Sequence, residues 1–256
     1  MSAASPRTVR EVYTAEGGVE RYELRAWSER HRIVAGVTAG TDALDFGLGA
    51  VRPATAVLDR WIGLMSAVGP GLTSAAVARQ VHGRRVRRHA PAPSAGLLLQ
   101  DDSDGHVATA PGLLIAVTVA DCVPIYLLER NTGAVALLHA GWRGIAAGIL
   151  EAGVAELLGA GGGVVGDILM HCGISICGDC YEVGPEVQEA VGLGRPAGKV
   201  RLDLRAILAD RARTLGIGDV TVSGWCTAHD GGRFHSHRAS AGRAGRMAAY
   251  AGCLPA

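Results

Sequence analysis

A thiol and two imidazoles are the first candidates for chemistry in this sequence. His82, Cys122 and His139 each lie at the close of an apolar run and beside a turn. Two imidazoles and one thiolate match a catalytic zinc tripod that leaves a fourth position for water or substrate. The same residue types also suit a nucleophile pair, with Cys122 attacking and His139 or His82 as base. Without either role, His139 would be a hydrogen-bonded core histidine and Cys122 a packed, inert thiol. Asp121, adjacent to Cys122, would orient a ligand imidazole or cap a turn. Arg143 follows Trp142 where a helix begins, and backbone N–H groups there favour an anion; the alternative is a surface ion pair. The catalytic candidates are Cys122, His139, Arg143 and Asp121, and the metal candidates are His82, Cys122 and His139.

These side chains need rigid elements to hold them. Leu113-Leu114-Ile115-Ala116-Val117-Thr118-Val119 is a continuous β-prone run, as a strand buried on both faces would be. Asp121-Cys122 interrupts it, and Ile125-Tyr126-Leu127-Leu128 follows, stopping at Arg130-Asn131-Thr132-Gly133. Ala134-Val135-Ala136-Leu137-Leu138 then leads to His139. From Gly144 onward Ile145, Ile149, Val154, Leu157 and Leu158 recur at helical spacing and predict one helix. Two strand ends would thus deliver thiol and imidazole to one edge of a sheet, beside an arginine.

Elsewhere, residues 12–27 suggest an edge hairpin, and His31-Arg32-Ile33-Val34-Ala35-Gly36-Val37-Thr38 a better strand. A helix is expected over Ala54 to Val68, ended by Gly69-Pro70-Gly71. Further strands fall at residues 75–83, 166–173 and 220–226. Helices follow Gly184-Pro185 and Leu202-Asp203-Leu204. Several strands adjoin directly, which favours a mixed sheet over a purely parallel one.

With 256 residues and 48% hydrophobic content, the chain can bury a full core in one large domain or two intimate ones. A net charge of +1 argues against a general nucleic-acid or membrane binder. Lys199 is the only lysine, so arginine clusters reflect an overall bias toward arginine. The run Arg84-Arg85-Val86-Arg87-Arg88-His89 is either a phosphate track or an exposed strand edge offset by Asp101, Asp102 and Asp104; the second is favoured. Residues 90–94 would form a short linker. No apolar segment resembles a secretory signal or a membrane span, so a cytoplasmic location with six reduced or metal-bound cysteines is expected.

Cys172, Cys177 and Cys180 form a loose cluster containing a C-x-x-C. A zinc ribbon needs a second such pair, so packing or turn use is the expectation here. His235-Ser236-His237 would place both imidazoles on one face if it were a strand.

Several blocks together carry a resemblance. They are Arg79-Gln80-Val81-His82-Gly83, Ala120-Asp121-Cys122-Val123-Pro124, His139-Ala140-Gly141-Trp142-Arg143-Gly144, Cys180-Tyr181-Glu182-Val183-Gly184 and Gly245-Arg246-Met247-Ala248. In this order they resemble the laccase-domain, or polyphenol-oxidase-like, proteins regarded as purine nucleoside phosphorylases. The resemblance implies an α+β fold, a mixed-sheet layered α/β/β/α sandwich forming a single domain over residues 1–256. It implies zinc on His82, Cys122 and His139, with copper able to bind in vitro. The implied activity is phosphorolysis of adenosine, inosine, guanosine or methylthioadenosine, with adenosine deamination beside it; the partners are purine nucleosides and phosphate. A copper polyphenol oxidase is the alternative, and a non-enzymatic specificity factor a third. The chain departs from the family pattern at Thr38-Ala39-Gly40-Thr41, at Leu44-Asp45-Phe46-Gly47 and at Phe234-His235-Ser236-His237-Arg238-Ala239.

Overall fold

Central strands whose side chains are buried on both faces require a layer of structure on each side, and that requirement shapes the molecule. The structure, a computed structural model, describes residues 6–41, 44–47, 54–89 and 95–255. The expected linker at residues 90–94 lies outside them.

The chain opens with β1 (Arg7–Val9), β2 (Val12–Thr14) and β3 (Arg21–Glu23), then α1 (Arg25–His31) and β4 (Ile33–Thr38). Helix α2 (Ala54–Val68) precedes β5 (Ser74–Ala78), β6 (Val86–His89), β7 (Gly96–Gln100) and β8 (Gly105–Ala108). Next come β9 (Leu113–Val119), β10 (Val123–Glu129), β11 (Val135–Ala140), α3 (Trp142–Ala147) and α4 (Ile149–Gly161). The rest is β12 (Ile168–Cys172), β13 (Glu182–Val183), α5 (Pro185–Ala190) and β14 (Val200–Arg201), followed by α6 (Leu204–Leu215), β15 (Asp219–Ser223) and β16 (Met247–Cys253).

Two seven-stranded mixed sheets result. The first runs β1-β15-β12-β10-β11-β8-β6 and the second β2-β3-β4-β16-β9-β5-β7. Period-two alternation sorts each strand's side chains between layers. In β10, Ile125 and Leu127 face α4 and α6, whereas Tyr126 and Leu128 face the second sheet. In β9, Ile115 and Val117 join the core between the sheets, and Leu114 and Ala116 pack toward α2. Fully burying each aliphatic side chain of this kind contributes roughly 1.5–3 kcal/mol. The product is the α/β/β/α sandwich that the resemblance implied.

Three local expectations change. Of the hairpin expected over residues 12–27, β2 and β3 form the pair, but residues 25–27, with His31 of the next expected strand, belong to a helix: Trp27 is buried, and Arg32 ends the turn in the left-handed conformation with φ 59°. The helix expected after Gly144 is two helices, parted at Gly148 with φ 86°. The strand that ends before Cys122 and the one that carries His139 lie in different sheets rather than at the edge of one. β9 pairs with β16 and β5, and β10 pairs with β11 and β12, so the chain crosses between sheets at residues 120–122. The basic run becomes the edge strand β6, with Arg88 paired to Glu156 and Arg87 to Asp101.

Candidate metal centre and its cleft

The ends of β5, β9 and β11 and the start of β10 meet at one end of the sandwich. Cys122 sits in the crossover from β9 to β10. His139 is the penultimate residue of β11, opposite Pro124. His82 lies in the loop after β5, with φ 59°. The donor atoms of His82, Cys122 and His139 all fall within 4.8 Å of one another. The two imidazoles stand edge to face, with centroids 4.8 Å apart.

Asp104, fully buried, holds this arrangement. Its carboxylate accepts backbone N–H bonds from Val81 (3.1 Å), His82 (2.9 Å) and Gly83 (2.7 Å), which fixes the left-handed turn carrying His82. His139 Nδ1 donates to the same carboxylate at 2.9 Å, leaving Nε2 for a ligand. The His139 backbone N–H also bonds the Asp104 carbonyl, at 2.7 Å. Burial would raise the carboxyl, but His139 and the converging N–H groups outweigh it and hold Asp104 below the usual carboxylate range. Gln80 anchors the other flank of the loop, donating to the Thr118 carbonyl and accepting from its N–H.

Burial alone would push the Cys122 thiol up, yet the neighbouring His139 and His82 bring it down to about 6. His139 moves the opposite way: burial lowers it, but Cys122 and Asp104 raise it to about 9. A thiolate ready at neutral pH, an imidazole oriented by a carboxylate and a second imidazole form the donor set a metal needs. Gly141 leaves room for it. A Cβ at that position would lie 3.0 Å from Cys122 Sγ and 3.2 Å from His82 Cδ2.

Asp121 has different partners from those expected. At φ 86°, it accepts from Thr227 Oγ1 and from the Arg238 N–H, both at 2.6 Å. It therefore ties two later loops to the floor of the site, while Asp104 orients the imidazole. Nothing in the immediate sequence marks Asp104 for this; it read as one of several acids offsetting the basic run. The available signal was a carboxylate entering a strand, β8, whose residues are all buried.

A cleft of about 740 Å³ opens over the three donors. Arg143 borders it, its guanidinium 4.4 Å from the Trp142 ring centroid and in no ion pair among the described residues. The cleft's other arginines are engaged: Arg79 with Asp102, Arg238 with the Glu182 carbonyl and Arg246 with the Ala244 carbonyl. Tyr181 faces the same space. Burial, then Cys122 and Asp121, push its phenol up to about 12, so it remains a donor. Because α3 has only six residues, its N-terminus offers little dipole, and among the described residues the free cation at this edge of the cleft is the Arg143 guanidinium.

His235 and His237 do not share the face of a strand. They lie in a non-strand segment, His235 buried and His237 exposed at the cleft. Cys172 is buried in β12 among the helix-side core, and burial pushes its thiol up to about 12. Cys177 and Cys180 do have a second pair, in Cys226 and His229, and these four donors also lie within 4.8 Å of one another.

The family described as "Multi-copper polyphenol oxidoreductase laccase" matches residues 28–253. A protein named purine nucleoside phosphorylase from Deinococcus radiodurans is 35% identical over 196 residues, 74% of this chain and 74% of that protein. A protein named adenosine deaminase RL5, from an unknown prokaryotic organism, is 38% identical over 172 residues, 61% of this chain and 64% of its own length. The crystal structure of YlmD from Geobacillus stearothermophilus superposes with a TM-score of 0.82 at 25% identity, covering 96% of this chain and 100% of that one. Among the described residues no helix is long and apolar enough to cross a membrane.

Proposed function

The chain belongs to the multi-copper polyphenol oxidoreductase laccase family, and from that premise we propose that it is a zinc-dependent purine nucleoside phosphorylase with adenosine deamination as a second activity. One observation carries the reading: a single cleft gathers the donors His82, Cys122 and His139 with the guanidinium of Arg143, which has no carboxylate partner among the described residues. The cleft, at about 740 Å³, suits a nucleoside together with an anion. The names of the phosphorylase and deaminase relatives support the same pair of activities.

A zinc ion on the His2Cys set supplies Lewis acidity and a lowered pKa for water when bound. The remaining work belongs to the chain. The fork of Arg143 receives phosphate as a tetrahedral dianion and orients one oxygen toward the ribose. That oxygen forms a bond to C1′, the C1′–N9 bond breaks with its electron pair going to the purine, and the base takes up a proton. The products are free base and ribose 1-phosphate. The Tyr181 phenol, held protonated, donates to the substrate, and Asp121 keeps the loops of Thr227 and Arg238 in place around it. In deamination, water adds at adenine C6 and ammonia leaves. A cytoplasmic setting, where thiols stay reduced, suits Cys122 as ligand.

Copper would occupy the same three side chains readily. A multicopper oxidase, however, holds several ions with many histidines, and neither donor group among the described residues contains more than two. Phenol oxidation is therefore ranked second.

The test is metal-assayed protein incubated with inosine, with and without phosphate, the products read by mass. Hypoxanthine and ribose 1-phosphate should form only when phosphate is present. Equally fast base release without phosphate, yielding ribose, would end the phosphorylase reading. Faster turnover of phenols than of nucleosides under matched conditions would reverse the ranking.

A further inference from the structure

We propose a second metal site, a structural zinc held by Cys177, Cys180, Cys226 and His229. The donor set is Cys3His, the composition of a closed structural zinc site with no position left for substrate. Its sequence form is a pair of knuckles, Cys177-x-x-Cys180 and Cys226-x-x-His229. The four donors lie within 4.8 Å of one another without an ion. His229 Nδ1 is 3.6 Å from Cys177 Sγ and 3.4 Å from Cys180 Sγ. A tetrahedron with Zn–S of about 2.3 Å and Zn–N of about 2.0 Å has S···N edges of about 3.5 Å, so these separations already match.

The surroundings are those of ligands. The Cys177 N–H donates to Cys226 Sγ at 3.3 Å, and the N–H groups of Ala228 and His229 also face that sulfur. The other imidazole nitrogen, Nε2 of His229, lies 3.7 Å from Asp230 Oδ2. That carboxylate also accepts the Cys226 N–H at 2.8 Å. One ring nitrogen beside the sulfurs and the other near a carboxylate is the placement a metal-bound histidine takes.

The site would clamp the loop after β12 to the loop after β15. The first carries Ile176 and leads into Tyr181, both at the cleft. The second carries Thr227, which bonds Asp121 beside Cys122. A parallel bridge between Ser175 and Cys226 already joins the two loops.

The protein is expressed with zinc supplementation, purified without chelator, and its zinc measured by elemental analysis and native mass spectrometry. Wild type should hold two equivalents. The double variant Cys177→Ser/Cys226→Ser should hold one, and Cys122→Ala should also hold one, which separates this site from the tripod. If the double variant fails to fold, wild type suffices. Cys177, Cys180 and Cys226 should resist alkylation until a strong chelator is added, and then label together. Full zinc content in the double variant, identical labelling with and without chelator, or a Cys177–Cys180 disulfide in the metal-loaded protein would overturn the proposal.

Discussion

Asp104→Asn is the sharpest perturbation of the site, because it changes two donors and one charge without changing shape. Oδ1 of the carboxylate accepts from His82 N–H and His139 Nδ1, and Oδ2 from Val81 N–H and Gly83 N–H. An asparagine has one oxygen and one NH2, so either flip sets its amide nitrogen against two N–H donors. With the oxygen kept toward His139, the bonds to Val81 and Gly83 are lost; with the opposite flip, those to His82 and His139. Two charge-assisted bonds lost from a fully buried site would cost roughly 3–6 kcal/mol in all. Part of this relaxes into the loop. The part reaching the metal should match the effect of other outer partners, a 10- to 100-fold loss of affinity, or about 1.4–2.8 kcal/mol. Zinc competition against a chromophoric chelator reads that number, and urea unfolding of the apo proteins reads the remainder. Asp121→Asn is the control: its carboxylate bonds Thr227 and Arg238, so zinc affinity should stay near wild type. An Asp104→Asn protein with wild-type zinc affinity, or an Asp121→Asn protein weakened as severely, would refute the assignment.

Two further outcomes follow from the same geometry. Arg143→Ala should raise the phosphate KM about ten- to a hundred-fold, the loss of one charge-assisted contact worth roughly 1.5–3 kcal/mol, while adenosine deamination is largely spared; initial-rate kinetics with both substrates check it, and equal losses would remove Arg143 from phosphate binding. His106 should make stability depend on pH: burial first, then His89 and Arg87, depress it from 6.5 to about 3. Between those values the unfolded chain holds a proton that the folded chain does not, so stability falls as pH falls, by up to about 1.4 kcal/mol per unit. His106→Gln should flatten that dependence in urea unfolding measured from pH 7 to pH 4, and an unchanged slope would contradict it.

Much of the architecture was legible because burial leaves a local imprint. The runs at Leu113–Val119, Val123–Glu129 and Val135–Ala140 are apolar apart from Thr118, Glu129 and His139 because each has a layer on both sides, and Ala54–Val68 carries apolar residues at helical spacing. The residues of the tripod were legible for a related reason: a thiol or imidazole at the end of such a run interrupts a pattern. What the sequence left open concerns partners across space. Asp104 lies 35 positions from His139 and 22 from His82, yet it bonds both. Cys226-x-x-His229 completes a cluster begun at Cys177, 49 positions earlier. The short step from β9 to β10 joins two sheets rather than staying at the edge of one, because β16, from the far end of the chain, pairs beside β9. Periodicity reports which face of an element is buried. Which element covers that face, and so which donors meet at its end, is decided by strand pairing between distant segments, and only the folded chain contains that information.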